Sequence, residues 1–270
     1  FRSLLFVLRL ACSIYIYRKK QHIFILYYNK ELYFCRQLRT SFRNVHTKNK
    51  IGCTKKLLIV LKTMEIRSLT SVGNTNNNGF NLTHVTTMIP VSDYTSNYRN
   101  VEKFLGLCKQ CPKFGQSWTC PPCEFDVEAF VDKFKYAHIL GSKMTFDDAV
   151  LENTVTPEAV NNVCRETMRY GLIKASAYLR SYERKFPGSI CFLGSQCLLC
   201  GNKPCTRLKK EACRHPNDVR VSLEAVGFDL GKTTQDLLGI ELKWGKPNRL
   251  PQYITLVTAL FTNDATLRLE

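Results

Sequence analysis

The chain of 270 residues carries 39 Lys+Arg against 22 Asp+Glu, a formal charge of +17. Residues 1–63 hold 14 of the basic residues and a single acid, Glu31, for +13; residues 64–270 hold the other 25 basic and 21 acidic residues, for only +4. The body therefore lacks the basic excess of a nucleic-acid binder, and no nucleic-acid partner is expected. With 44% hydrophobic residues overall, it is long enough to bury a core.

Residues 1–63 are rich in Phe, Tyr, Ile, Leu, Lys, Arg and Asn and contain neither Pro nor Asp; the first Met of the chain is Met64. Their longest apolar runs, 10–17 and 21–29, are separated by Arg18, Lys19 and Lys20. Neither approaches the roughly 20 residues of a membrane helix, so no membrane span is expected. Arg9 interrupts the run that a secretory leader would need. The expectation is a doubtful basic extension over 1–63, either sequence translated upstream of a start at Met64 or a targeting segment, and a metal-binding domain over 64–270. The protein is then expected in the cytoplasm, or in an organelle if residues 1–63 are a genuine targeting segment.

After the Asn-rich stretch 73–79, residues 81–89 have the character of a strand closed by Pro90. Asp93 or Ser96 would cap a helix running to about residue 105, with Tyr98, Val101, Phe104 and Leu105 at helical spacing. A Cys/Pro loop over 108–123 leads to a helix opened by Asp126, whose apolar stripe is Val127, Phe130, Val131 and Phe134. Residues 136–144 suit a buried strand containing His138. Thr156-Pro157-Glu158 places Pro at the first position of a helix, predicted to reach about residue 186 with Gly171 the place for a bend. A short apolar strand over 189–193 runs into a second cysteine cluster. Helices are expected near 221–225 and 234–238, and a strand over 253–261. The alternation of strands and helices predicts a single α/β domain, with a mixed sheet flanked by helices and two cysteine-rich metal-binding loops.

Ten of the thirteen cysteines lie between Cys108 and Cys213. The first cluster is Cys108-x2-Cys111-x8-Cys120-x2-Cys123, two CxxC turns joined by a short loop. Such turns bring four thiolates around one point, which suits tetrahedral Zn²⁺ or an iron–sulfur centre. Pro112, Pro121 and Pro122 stiffen the loop, Gly115 permits a turn, and Trp118 can shield the site from water. The second cluster is Cys197-x2-Cys200-x4-Cys205-x7-Cys213. One close pair and two dispersed cysteines depart from the paired turns of a zinc knuckle and are more typical of an iron–sulfur loop. His215 would hydrogen-bond near the site or cap the turn before Pro216. Cys191, in an apolar run, and Cys164, alone on a predicted helix, suit core thiols. Cys12, Cys35 and Cys53 are too widely spaced to count as ligands.

The runs CKQCPKFGQSWTCPP, GSQCLLCGNKPC and CRHPNDVRVSLEAVGFDLG resemble the predicted metal-binding protein family of unknown function common in anaerobic bacteria and archaea. The resemblance spans roughly residues 97–261. It implies metal binding, of iron–sulfur type, at Cys108, Cys111, Cys120, Cys197, Cys200, Cys205 and Cys213, with no established reaction. The family pattern does not fix Cys123, which is then either an extra ligand or a bystander; a site with three cysteines would leave one iron open to water or substrate.

Other motifs carry less. Gly231-Lys232-Thr233 resembles the end of a P-loop, but Val226 stands where a Gly is required; Thr233 or Thr234 is better explained as a helix cap near Asp236. Asn81-Leu82-Thr83 matches a glycosylation acceptor by chance. Arg207, Lys209, Lys210 and Arg214 form a basic patch, either a solvated face or a docking surface for an acidic redox partner. Glu224 is explained by a helix surface. No Ser-His-Asp or paired-carboxylate arrangement is visible. The expected function is electron transfer, or a redox reaction with a partner protein, by one or two iron–sulfur clusters held by the eight thiols. The rivals are a structural zinc-binding interaction module and a redox enzyme with an open iron site.

Overall fold

A computed structural model of the chain describes residues 23–28, 31–36, 67–69, 79–194 and 196–270. The chain divides into two compact units, Phe1–Leu61 and Lys62–Glu270. In the first, β1 (Ile23–Tyr28) and β2 (Glu31–Arg36) pair as an antiparallel hairpin, Ile23 opposite Arg36. Among the described residues, no helix is long and apolar enough to cross a membrane.

The second unit is built on a five-stranded sheet of β3 (Arg67–Leu69), β4 (Phe80–Pro90), β5 (Tyr136–Phe146), β6 (Ile190–Phe192) and β7 (Tyr253–Thr262). Their order across the sheet is β3-β4-β5-β7-β6. The α/β class and the two cysteine loops are as the sequence predicts. The sheet is antiparallel at every pairing rather than mixed, and the connections explain why. A long helix carries the chain from β5 to β6, which run parallel to each other as a strand–helix–strand crossover implies. The two are not neighbours, because the C-terminal β7 lies between them and opposes both.

Helices α1 (Val91–Tyr98) and α2 (Val101–Lys109) stand where one continuous helix was expected. The break is local: Arg99 is extended and bridges Phe228, while the Asn100 side chain accepts a hydrogen bond from the Lys103 N–H at 2.9 Å and so restarts the helix. The short α3 (Val127–Val131) is capped by Asp126, which accepts from the N–H groups of Glu128 and Ala129 at 2.9 and 3.1 Å. After α4 (Asp148–Asn153) comes α5 (Pro157–Lys185), whose cap Thr156 accepts from the Ala159 N–H at 3.2 Å. It runs unbroken through Gly171, where an added Cβ would lie 2.4 Å from the Met144 sulfur; the glycine serves the close approach of helix to sheet. The expected helix at 221–225 is a single 3-10 turn, Glu224–Val226, stopped by Gly227 at φ +92°. Helix α6 (Leu230–Leu238) is capped by Asp229 rather than by a threonine. Thr233 and Thr234 lie inside it, buried, their hydroxyls donating to the carbonyls of Asp229 and Leu230.

Strand β5 is apolar on both faces because both are covered. Ala137 and Ile139 join one cluster with Tyr94 of α1, Leu237 and Leu238 of α6, and Val226 and Phe228. Leu140 and Met144 join the other, with Leu172, Ala175 and Leu179 of α5. The spacing 172, 175, 179 is the buried stripe of an amphipathic helix.

His138, in the middle of β5, is 4% exposed. Burial, with a smaller contribution from the Arg268 charge, pushes its pKa from 6.5 down to about 4. The unfolded chain therefore takes up a proton here more readily than the folded one. The stability tied to a neutral His138 is complete above pH 6.5 and is lost as the pH falls towards 4. Urea titrations should show the wild type losing about 2 kcal/mol more than His138→Gln between pH 7 and pH 5; parallel pH profiles would refute this.

Candidate metal centre

Both cysteine loops lie beside β6 at the end of the sheet. The first grows out of α2, whose last turn carries Cys108. The N–H of Cys111 donates to the Cys108 carbonyl at 3.0 Å, a tight turn across the first CxxC pair, and that of Cys120 donates to the Ser117 carbonyl at 3.1 Å, a turn that leads into the second pair. Gly115, at φ +69°, closes the loop by donating to the Pro121 carbonyl at 3.0 Å. The junction of α1 and α2 is fastened to the rest of the unit by the Asn100 N–H on the Gly227 carbonyl at 2.8 Å and the Asp229 N–H on the Tyr98 carbonyl at 2.7 Å. At Gly227 an added Cβ would stand 2.8 Å from the Val101 Cα, so that only glycine allows the segment to sit under the start of α2.

The second loop leaves β6 and returns alongside it. Leu193 donates to the Val221 carbonyl at 3.1 Å, and Ser222 donates to the Thr119 carbonyl at 3.3 Å. The returning chain is thus held between the edge of the sheet and the first loop. Within the second loop, backbone and guanidinium N–H groups point at sulfur. The N–H of His215 donates to Cys213 Sγ at 3.4 Å, the Leu199 N–H bonds Cys197, and Arg214 Nη1 reaches Cys200 Sγ at 3.6 Å while holding the Pro204 carbonyl at 2.9 Å. His215 thus contributes its main chain.

Arg207 joins the two loops. It lies in the 3-10 turn Thr206–Lys209, directly after Cys205. Its Nη1 donates to the carbonyls of Ser117 and Cys120 at 2.8 and 2.6 Å, its Nη2 donates to that of Pro122, and its guanidinium lies 4.9 Å from the centre of the Trp118 ring. Thr206 accepts a hydrogen bond from the Trp118 indole N–H at 3.3 Å. Two consecutive residues of the second loop therefore set the shape of the first. The basic patch seen in the sequence divides accordingly: Arg207 and Arg214 turn towards the cysteines, and Lys209 and Lys210 are exposed.

Within each loop, burial and neighbouring charges act on the thiols. Burial pushes the Cys108 thiol up, and the charges of Glu224, Cys120 and Cys111 push it further. Cys120 is raised chiefly by burial, with Cys111 and Glu224 adding to it, while Thr119 and Arg207 oppose. Cys123 is raised by burial, helped by Cys120 and Cys108 and opposed by Arg207. In the second set, burial raises Cys197, with Cys200, Cys213 and Cys205 adding to it. Each set is thus close enough for its members' charges to act on one another, although among the described residues no three His, Cys, Asp or Glu side chains converge on one metal position. The donor chemistry, four thiols to a set, suits a soft or borderline ion or an iron–sulfur group.

Cys123 stands apart within its set, its Sγ–H directed at the Ala225 carbonyl 3.7 Å away. Cys191 is buried beneath the loops and half-buried Cys164 lies on α5. Cys12 and Cys53 fall outside the described residues, and Cys35 is in β2. Sequence reasoning missed three residues, among them Arg214, which reaches Cys200. Arg207 was counted with its charged neighbours, since nothing local shows that it faces another loop. Glu224 was assigned to a helix surface, yet its carboxyl bonds Ser222 and its own N–H, burial raises its pKa, and its charge acts on Cys108 and Cys120. The apolar neighbours in SLEAVGF were the available signal.

Residues 94–261 match the sequence model of a family described as Predicted metal-binding protein (DUF2284). No curated protein and no solved structure matches the chain.

Replacing Arg207 removes three hydrogen bonds from a charged donor and the contact with Trp118. Arg207→Ala should lower unfolding stability by about 2–3 kcal/mol. Arg207→Lys should recover less than half, because an ammonium cannot span three carbonyls and a ring together. Denaturant melts of the three proteins test this, and a fully stable Arg207→Lys would show that charge alone matters.

Proposed function

The chain belongs to the family of predicted metal-binding proteins matched over residues 94–261, and from that premise we propose that it is an iron–sulfur protein acting in electron transfer or in redox exchange with a partner protein. Cys108, Cys111, Cys120 and Cys123 would hold one cluster, and Cys197, Cys200, Cys205 and Cys213 a second. The observation that carries this reading is the direction of N–H groups towards the second set of sulfurs: His215 to Cys213, Leu199 to Cys197 and Arg214 to Cys200. Hydrogen bonds to cysteine sulfur, together with burial and nearby charge, are the means by which proteins set the potential of such clusters. When bound, an iron–sulfur cluster supplies one-electron transfer; the chain's own residues hold it, dry it and fix the charge around it. Trp118, half-buried over the first loop and held by Thr206, restricts water there.

A structural zinc protein is the second reading, favoured by the spacing of the two CxxC pairs of the first loop. The decisive measurement is purification of the full chain without oxygen, followed by analysis for iron, sulfide and zinc and by visible absorption before and after reduction. Iron and sulfide in near-equal amounts, with a visible band that bleaches on reduction, are expected. A colourless protein containing zinc and no sulfide would end the iron–sulfur reading.

The position of Cys123 against the Ala225 carbonyl sets a further test. If Cys123 is a ligand, Cys123→Ser should lower the iron content of the first site or alter its EPR signal, while Cys191→Ser leaves both unchanged. Identical iron content and spectra in Cys123→Ser and wild type would make Cys123 a bystander.

A further inference from the structure

A cavity of about 470 Å³ opens between the two cysteine loops. Trp118 and Cys123 of the first loop line one side and Cys213 of the second loop another; Ile190 and Cys191 of β6 lie beneath. Thiols from three separate parts of the chain thus share one space, and one of them, Cys191, is only 1% exposed on average and has no place in either set of four. The volume is that of a small-molecule site.

The wall indicates what would enter. Two guanidinium groups border the cavity, and both are engaged. Arg207 is spent on three carbonyls and the Trp118 face. Arg220 donates to both Glu183 oxygens, at 2.7 and 3.1 Å, and to the carbonyls of Asn217 and Val219 at 2.8 and 2.9 Å. Glu124, exposed, adds one carboxylate to the lining; the remaining wall is mainly ring, aliphatic carbon and sulfur. Phe125 stands at the mouth 41% exposed, tilted against Phe130 with ring centres 4.9 Å apart. An exposed ring backed by a second ring is a stacking surface, and sulfur beside it favours a ring edge.

We propose that this cavity binds a flat, uncharged aromatic molecule of about two fused rings, seated between Cys123 of the first set and Cys213 of the second. Such a molecule would be within reach of both sites at once. Its redox meaning rests on the iron–sulfur reading, but its binding does not, and the two can fail separately.

The test uses the full chain with its bound metal, titrated calorimetrically with naphthol, which is uncharged near neutral pH and has no electrophilic carbon to react with thiols. One molecule should bind per chain. Naphthoate, with the same rings and a negative charge, should bind at least tenfold more weakly. Ala212 is exposed at the mouth, so Ala212→Trp can fill the entrance without disturbing the core; it should weaken naphthol binding at least tenfold while leaving metal content unchanged, and Ala212→Ser should bind as wild type does. No binding to a folded, metal-loaded wild type would overturn the proposal, as would naphthoate binding equally well. Unchanged affinity in Ala212→Trp would place the ligand elsewhere and overturn it too. A zinc protein that binds naphthol keeps the cavity and loses the iron–sulfur reading, whereas an iron–sulfur protein that ignores naphthol does the reverse.

Discussion

Thiols that are to share an ion resist being gathered, because burial disfavours each thiolate and every thiolate raises the proton affinity of the next. That resistance acts on Cys108, Cys120, Cys123 and Cys197, all raised by burial and by neighbours of their own set. The surrounding fold has to supply what the sulfurs cannot, and it does so through main-chain carbonyls. The first loop has no strand or helix of its own between α2 and α3, and its carbonyls are held by turn N–H groups and by side chains. Arg207 gathers three of them. Being always charged and forked, it reaches several acceptors from one position, and its place two residues after Cys205 makes the two loops parts of one construction. Anything that orders the chain around Cys205 also orders the loop around Cys120.

The sheet sets the stage for this. β6 has only three residues and is the last strand of its sheet, an edge that needs covering. Val221 and Thr119 accept the next hydrogen bonds outward, so the loops double as the cover of that edge. A second charged group links this cover to the helix layer: Glu183 of α5 accepts from the Cys191 N–H at 2.7 Å and from Arg220. The chain following Cys213 is therefore tied both to α5 and to β6, while the chain preceding Cys108 is tied through Gly227 to the turn containing Glu224. Each set of cysteines hangs from two supports of different layers.

What the sequence disclosed follows from how local the cause is. Thr156-Pro157, Asp126 and the apolar run of β5 act within a few residues, and each produced the element expected. Asn100 is as local a signal, but the apolar spacing of Tyr98, Val101 and Leu105 continues across it and hides the break that Arg99 makes by pairing with Phe228. The sheet order depends on where β7 inserts, a choice made by residues more than a hundred positions away, so the mixed sheet became antiparallel. The two cysteine loops were legible because the spacing of their cysteines is itself the signal. Arg207, Arg214 and Glu224 were not, since a charged residue in a loop discloses its direction only when the loop is folded.

Those three residues bear directly on what kind of group the sulfurs suit. Four thiolates around a divalent ion leave a double negative charge, and so do four thiolates around an oxidised cluster of four irons; reduction of the cluster adds a further negative charge. Each set has one guanidinium close by, Arg207 beside Cys120 and Cys123 and Arg214 on Cys200. A single positive charge halves such an excess without cancelling it, and it helps the more negative state most. A structural zinc site gains only a constant stabilisation from this arrangement, because its charge never changes. A site that accepts electrons gains more in the reduced state than in the oxidised one, which is a shift of potential. Glu224 acts the other way while ionised, and burial raises its pKa. The placement of charge thus suits a doubly negative thiolate site of either kind, and for a centre that changes oxidation state it would in addition shift the potential.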